Sequence, residues 1–296
     1  MNPASGDDQP NPMKLPDIIA ALDAAKIRAD LIFTLPKISP AEVAEQAVKE
    51  GYDLVIVGGG DGTVNQVAAG LINTSVPLGI LPIGTYNNLA RSLSIPVDIA
   101  AACQVIAQGQ IRMIDVGQAK DHIFLEAAGV GLDALLFPVG EDIKGGRWGR
   151  IVQALQLTFS YQPRRLYLEF PATYQRVDAP RGLLSRRSSA PRHLAARKLR
   201  RSALLMVVAN SPYYGAGLAI APDAILDDGL LTIKVFRNFS KWELIRHFWA
   251  ISKGQYRYSP KIETYLAPEV HCSSKADLPV HVDGYPLGTL PVKLKA

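Results

Sequence analysis

The chain has 296 residues, enough for two domains with cores of their own, and its 48% hydrophobic and 20% charged residues are those of an ordinary soluble protein. No apolar run reaches the ~18 residues that a membrane-spanning helix needs, and the N-terminus has neither the basic nor the apolar stretch of a secretion signal. The net charge of +5 is largely local, and the two cysteines make no metal-ligand spacing with the five histidines; a reducing, cytoplasmic compartment is expected.

In chain order, residues 7–13 are polar and proline-rich, a loop. Leu15–Ala25 carries Ile18, Ile19 and Leu22 on one side and predicts a helix; Arg28–Phe33 predicts a strand ending at Thr34. Ser39-Pro40-Ala41-Glu42 is a helix start, with Ser as N-cap, Pro at the first helical position and an acid in the first turn, and Gly51 marks the end. Leu54–Val57 is a buried parallel strand, and Val64, Val67, Ala68 and Leu71 recur at helical spacing. Pro77–Leu81 is a further strand, emptying into Pro82-Ile83-Gly84-Thr85-Tyr86-Asn87-Asn88 before a second helical pattern.

Beyond Asp115 the alternation stops. Arg112–Gly117, Ile123–Ala128, Arg165–Phe170, Ala203–Ala209 and Leu230–Phe236 read as strands. Helices are expected at Gly149–Ser160, with Ile151, Ala154, Leu155 and Leu157 inward, and at Lys241–Ala250. The fold class expected is an α/β N-terminal domain with a parallel sheet, followed by a mostly antiparallel β-sandwich domain. Gln175–Ser202, crowded with arginine, reads as a flexible basic insertion between two strands that either leans on anionic headgroups or is simply solvated. It has no Phe, Tyr or Trp to stack on bases, so nucleic acid is not an expected partner.

The chemistry concentrates at Gly58-Gly59-Gly60-Asp61-Gly62-Thr63, between strand and helix. Consecutive glycines bring backbone N–H groups close to a ligand, and the helix start beyond them favours anions. Neither general phosphate-loop signature fits: there is no Lys for the G-x-x-x-x-G-K-[ST] pattern, and G-x-G-x-x-G is out of register. An Asp in such a turn repels phosphate unless it binds a cation or accepts a hydroxyl proton. The Gly84-Thr85 turn puts a second helix start on the same edge of the sheet, where ligands of open α/β sheets bind.

The glycine turn resembles the GGDGT motif of diacylglycerol kinases, sphingosine kinases and NAD kinases and, more loosely, phosphofructokinases. The ordered set Asn2–Gly6, Gly59–Thr63, Pro82–Arg91, Ile114–Gly117, Gly129–Ala134, Asn210–Gly217, Ile220–Leu230 and Val282–Pro286 is similar to the bacterial diacylglycerol kinase catalytic family over nearly the whole chain. The resemblance implies an ATP- and Mg²⁺-dependent lipid kinase, with a nucleotide-binding domain over residues 1–117, to which 288–296 return, and a lipid-substrate domain over 118–287. It implies nucleotide contacts at Thr34, Gly59, Gly60, Asp61, Gly62, Thr63, Val64, Asn65, Gly84 and Thr85, and a structural Mg²⁺ held by the Asp228 carboxylate with the carbonyls of Ile225 and Leu230. Expected partners are a lipid substrate at a membrane surface, met peripherally, and a second copy of the chain. Of the aromatic and apolar residues near turns, Phe137, Pro138, Val139, Trp148, Tyr213 and Tyr214 are candidates to line the lipid site. In the family a strand precedes the Asn-Pro-x-Ser-Gly turn; here the sequence starts at that turn, which points to a misassigned start.

Two departures bear on catalysis. The family's Asn-Asp after Pro-x-Gly-Thr reads Asn87-Asn88 here, removing a carboxylate. The family's Asp-Gly-Glu, whose Glu is the proton acceptor, reads Asp283-Gly284-Tyr285. A phenol, with a pKa near 10, is a poor general base at neutral pH, leaving Asp283 or Asp61 for that role. The rival readings are a homologue impaired in catalysis that binds nucleotide or lipid, and a kinase with a soluble acceptor, as in NAD kinases.

Overall fold

The computed structural model describes residues 14–34, 38–144, 146–177, 192–255 and 258–296. The chain divides into two units, Met1–Met113 and Ile114–Ala296.

The first unit runs α1 (Lys14–Ala24), α2 (Pro40–Glu50), β1 (Val55–Gly59), α3 (Asp61–Leu71), β2 (Leu78–Pro82), α4 (Asn88–Ser92) and α5 (Ile99–Ala107). β1 and β2 pair in parallel, Val55 opposite Leu78 through Gly59 opposite Pro82. Ile18 and Leu22 of α1 pack with Leu81, Ile83, Ala102 and Cys103, so Cys103 is a small buried hydrophobe as its helical context predicts. The strand expected at Arg28–Phe33 is not formed. Residues 27–34 are irregular and Leu31, Ile32 and Phe33 are exposed, because a short apolar run makes a strand only where packing and pairing support it. The Asn2–Gly6 turn lies outside the described residues.

The second unit is a sandwich of two antiparallel sheets. Its strands are β3 (Gly117–Ala119), β4 (His122–Phe124), β5 (Ala127–Gly131), β6 (Arg164–Phe170), β7 (Tyr174–Val177), β8 (Arg192–Leu194), β9 (Arg197–Ala203), β10 (Leu205–Ala209), β11 (Leu231–Phe236), β12 (Ile262–Ala267), β13 (Glu269–Ser274), β14 (Pro279–Val282), β15 (Tyr285–Thr289) and β16 (Val292–Lys295). One sheet has the order β15-β14-β5-β10-β11-β12-β7-β8 and the other β4-β3-β16-β13-β6-β9. Helices α6 (Leu132–Lys144), α7 (Arg150–Ser160) and α8 (Lys241–Ser252) complete it.

β10 shows how the layers arise. Met206 and Val208 enter the core between the sheets with Leu168, Val270 and Leu294, while Leu205, Val207 and Ala209 enter a second core with Leu132 of α6 and with Leu244 and Ile251 of α8. A strand covered on both faces has no polar alternation to show, which is why it reads as a continuous apolar run.

Three expectations are corrected here. Residues 288–296 do not return to the first unit: β16 pairs with β13 and β3, its Leu294 buried in the sandwich core. The basic insertion is in part regular structure, since β7 pairs with β8 and β9 pairs with β6 along seven residues; residues 178–191 lie outside the described set. In β9 Leu199 and Ala203 point inward between exposed Arg197, Lys198 and Arg200, a period of two hidden by the density of charge. On α7, Ile151 and Leu155 are exposed rather than inward, together with Val152 and Phe159.

Candidate active site

In the first unit the glycine run is divided between three local structures. Gly58 and Gly59 end β1, Gly60 alone is the extended N-cap residue, and Asp61, Gly62 and Thr63 form the first turn of α3. Thr63 and Val64 N–H groups donate to the Gly60 carbonyl at 2.9 and 3.0 Å. Thr63 and Val64 are buried, Asn65 is half-buried, and Gly62 has open space where a Cβ would stand.

The second turn comes to the same place. A Cβ on Gly84 would lie 2.3 Å from the Gly60 Cα and 3.0 Å from the Gly60 nitrogen, so the two turns meet backbone to backbone. Asp61 ties them further: its Oδ1 accepts the Leu89 N–H of α4 at 3.2 Å. Asn87, in the left-handed conformation at φ 50°, laces the turn internally. Its Oδ1 accepts the Gly84 N–H at 3.0 Å, and its Nδ2 donates to the carbonyls of Pro82 and Gly84 at 3.1 and 2.9 Å. The sequence marked Asn87 only as one half of a departure, although its lacing bonds reach no further than five residues along the chain. Thr85 is exposed, and Thr34 is half-buried at the end of the irregular segment.

In the second unit Asp283 and Gly284, at φ 43° and 85°, form the two-residue turn between β14 and β15, with Val282 paired to Tyr285. The Asp283 carboxylate is turned back onto the segment before β5. It accepts the backbone N–H groups of Leu125 at 2.7 Å, Glu126 at 3.1 and 3.2 Å, and Ala127 at 2.8 Å. Asp283 is therefore a brace of the hairpin. Tyr285 is 56% exposed, its ring stacked on His122 with centroids 4.5 Å apart.

Beside this turn is a buried network that sequence reasoning missed, because histidines without catalytic spacing read as surface or core. The Gly284 N–H donates to His281 Nδ1 at 3.1 Å, which makes Nδ1 an acceptor and assigns the proton to Nε2. Nε2–H then faces Asp133 Oδ2 at 2.9 Å, and the Tyr214 hydroxyl donates to the same oxygen at 2.9 Å. Burial pushes the Tyr214 phenol well above its ordinary range, with the carboxylates of Asp133, Glu126 and Asp283 adding to it. Gly129 leaves the room this needs, since a Cβ there would fall 1.9 Å from Asp133 Oδ2 and 2.2 Å from His281 Nε2. Glu126, 6% exposed and also passed over in the sequence, accepts the Gly215 N–H at 3.0 Å. Of the residues expected to line a lipid site, Tyr214 and Val139 are core residues, Phe137 covers the rings of His281 and Tyr214, and Trp148 stands exposed.

The expected metal loop is a tight turn as well. Asp228 Oδ1 accepts the Leu230 N–H at 3.0 Å, and Asp115 Oδ2 accepts the Gly229 N–H at 2.6 Å. Burial raises the Asp228 carboxyl above its usual range, with the charges of Asp115 and Asp227 adding to the effect and the Leu230 N–H opposing it. Among the described residues no three His, Cys, Asp or Glu side chains gather as a ligand set, so a cation here would depend on backbone carbonyls such as those of Ile225 and Leu230.

Residues 1–119 match the family described as "Diacylglycerol kinase catalytic domain", and residues 154–296 match the "YegS C-terminal NAD kinase beta sandwich-like domain". Two relatives named diacylglycerol kinase, from Staphylococcus aureus strains bovine RF122 / ET3-1 and MRSA252, are each 28% identical, over 98% of this chain and 86% of their own length. A crystal structure of a diacylglycerol kinase from Bacillus anthracis str. Sterne aligns with TM-score 0.70 at 22% identity, over 99% of this chain and 90% of that one, a likeness of fold.

Proposed function

We propose that this chain, whose residues 1–119 match the diacylglycerol kinase catalytic domain, transfers the γ-phosphoryl group of ATP to the hydroxyl of a diacylglycerol-like lipid, with Mg²⁺ as the required ion. The observation that carries this reading is the contact of Gly60 with Gly84 at the start of α3. Glycines at both turns keep side chains out of the way of a phosphate, and the helix N-terminus contributes partial positive charge. Gly59, Gly60, Gly62, Thr63, Val64, Asn65, Gly84 and Thr85 form the cradle in this reading, and the resemblance adds Thr34.

The residues present fit a nucleotide accompanied by a cation. Asp61 at the head of α3 opposes bare phosphate, and its carboxylate is suited to the cation side of the complex. Bound Mg²⁺ supplies neutralisation of the charge spread over the phosphate oxygens during transfer. In the second unit the carboxylates crowding Asp228 are of the kind that a divalent ion relieves; Asp228 with the carbonyls of Ile225 and Leu230 would hold it.

Asp283 acts in this reading as a positioning residue, fixing the turn that carries Tyr285 through its hydrogen bonds from three backbone N–H groups. Proton acceptance falls to a carboxylate other than position 285: Asp61, or Glu126, whose own N–H is one of the groups Asp283 holds. Phosphoryl transfer rests mainly on positioning and charge stabilisation, so it tolerates a displaced base.

The test is transfer of label from γ-labelled ATP to diacylglycerol in vesicles, with and without Mg²⁺. Metal-dependent labelling of the lipid is the expected result. Bound nucleotide with no transfer to any long-chain alcohol would overturn the reading. It would favour instead a homologue impaired in catalysis, which the exposed Tyr285 in place of the Glu speaks for.

A further inference from the structure

Every tryptophan of this chain is on the surface. Trp148, Trp242 and Trp249 are 70%, 69% and 63% exposed, and the sequence contains three. Tryptophan is on average a well-buried residue, so a protein that buries none of its own has placed them for something outside its core.

All three are in the second unit, two of them on α8. On α8, Trp242, Glu243, Ile245, Arg246 and Trp249 line one shallow depression, and Trp242, Ile245, Arg246 and Trp249 are at spacings that put them on a single helix face. The opposite face of α8 is already spent on the fold, with Leu244, His247 and Ile251 buried. On α7, Ile151, Leu155 and Phe159 repeat every four residues as an exposed stripe. The stripes join where the Phe159 ring meets Trp242 edge-on, centroids 5.0 Å apart, and Trp148 precedes α7. Folding alone does not require a second apolar face on a helix whose first is buried.

Charge selects the occupant. Arg246 lies between the two α8 tryptophans and Lys253 follows the helix, neither with an acidic partner among the described ion pairs. Among the described ion pairs, Glu243 is neutralised by Lys261 at 2.6 Å, and Asp142 by Arg147 and Arg150. An apolar face edged with uncompensated cations complements an anionic lipid surface, where tryptophan rings settle at headgroup depth and arginine and lysine meet phosphate. A second copy would oppose like charge to like.

We propose that the α7–α8 face is the surface on which this protein rests on an anionic membrane, with Trp242, Trp249 and Phe159 entering the headgroup zone and Arg246 and Lys253 on the lipid phosphates. The proposal deepens the lipid-kinase reading and rests on it for the acceptor. It would let the enzyme stay at the bilayer from which that acceptor is drawn.

The tryptophans are their own reporters. Full-length protein is mixed with vesicles of phosphatidylglycerol and phosphatidylcholine, or of phosphatidylcholine alone, and its tryptophan emission and cosedimentation are followed. The expected result is a blue shift and quenching by brominated acyl chains on the anionic vesicles. The Trp242→Ser/Trp249→Ser variant should partition at least ~10-fold more weakly, and Arg246→Glu should weaken binding to the anionic vesicles specifically. Both sites are exposed, and unchanged melting curves will show that the variants are folded. Emission indifferent to vesicles, or a double variant that partitions like the parent, overturns the proposal. So does a double variant whose only loss is self-association in sedimentation, which would mean the face covers a second copy. Vesicle binding without phosphate transfer to any lipid would support this surface while removing the kinase reading.

Discussion

Gly60 and Gly84 touch backbone to backbone, so each glycine turn of the first unit is one wall of the other. The contact leaves no space for a methyl group, and the atoms in the way are main chain. Gly84→Ala is therefore expected to push the two turns apart. We expect a loss of about 1–3 kcal/mol in stability from the overpacking. We also expect a rise of about tenfold or more in the nucleotide KM, because the cradle loses its geometry. Urea melts and nucleotide titrations check the two effects separately; an unchanged KM would detach this contact from nucleotide binding.

Asp283 and Glu126 should separate by readout. Asp283→Asn turns an NH₂ or a weaker acceptor toward three backbone N–H donors, and is expected to cost about 2–4 kcal/mol of stability as well as activity. Glu126→Gln keeps an oxygen for the Gly215 N–H and should leave the melting temperature in place. If the Glu126 carboxylate receives the acceptor proton, that variant lowers kcat by about 10²-fold. Equal kcat for parent and Glu126→Gln assigns the proton elsewhere.

Tyr285→Glu restores an acid after the Asp-Gly turn at an exposed position. A surface change of this kind is expected to alter stability by no more than about 0.5 kcal/mol. If the parent enzyme lacks only its base, kcat should rise by about tenfold or more. No change in turnover would mean that another carboxylate already serves.

Lys234 gives a pH test of the second core. It is buried on β11, and burial pushes its ammonium down to about 8, below the ordinary lysine value that the unfolded chain keeps. The unfolded state therefore binds more protons between those two values, and the parent gains stability as pH rises through that window. Below pH ~8 the full cost of burying the charge is present. Lys234→Met should accordingly be more stable than the parent near pH 7, with an advantage that shrinks toward pH ~10.5 by up to about 3 kcal/mol. Paired melts across that range measure it; a constant difference would contradict the assignment.

The basic cluster around Glu263 is a second stability test. Glu263 receives Arg201, Arg237 and the Tyr265 hydroxyl. Burial pushes its carboxyl up, but these donors outweigh that and hold it below the usual range. Glu263→Ala leaves two guanidinium groups facing one another and is expected to cost about 3–5 kcal/mol in denaturant melts.

What the sequence determined by itself was local and periodic. The Ser39-Pro40 start and Gly51 end of α2, the apolar run of β1, and the glycine turn opening α3 follow from spacing and capping along the chain. The ordered motifs also pointed to the diacylglycerol kinases, whose catalytic-domain model matches residues 1–119. What only the tertiary structure decided involves residues far apart in sequence. Gly60 meets Gly84, Asp283 reaches back to Leu125–Ala127, and His281 finds Asp133 and Tyr214, because sheet pairing brings those strands together. The exposed stripe of α7 was misread for the same reason: periodicity states that a helix has an apolar face, and only its neighbours decide whether that face is covered.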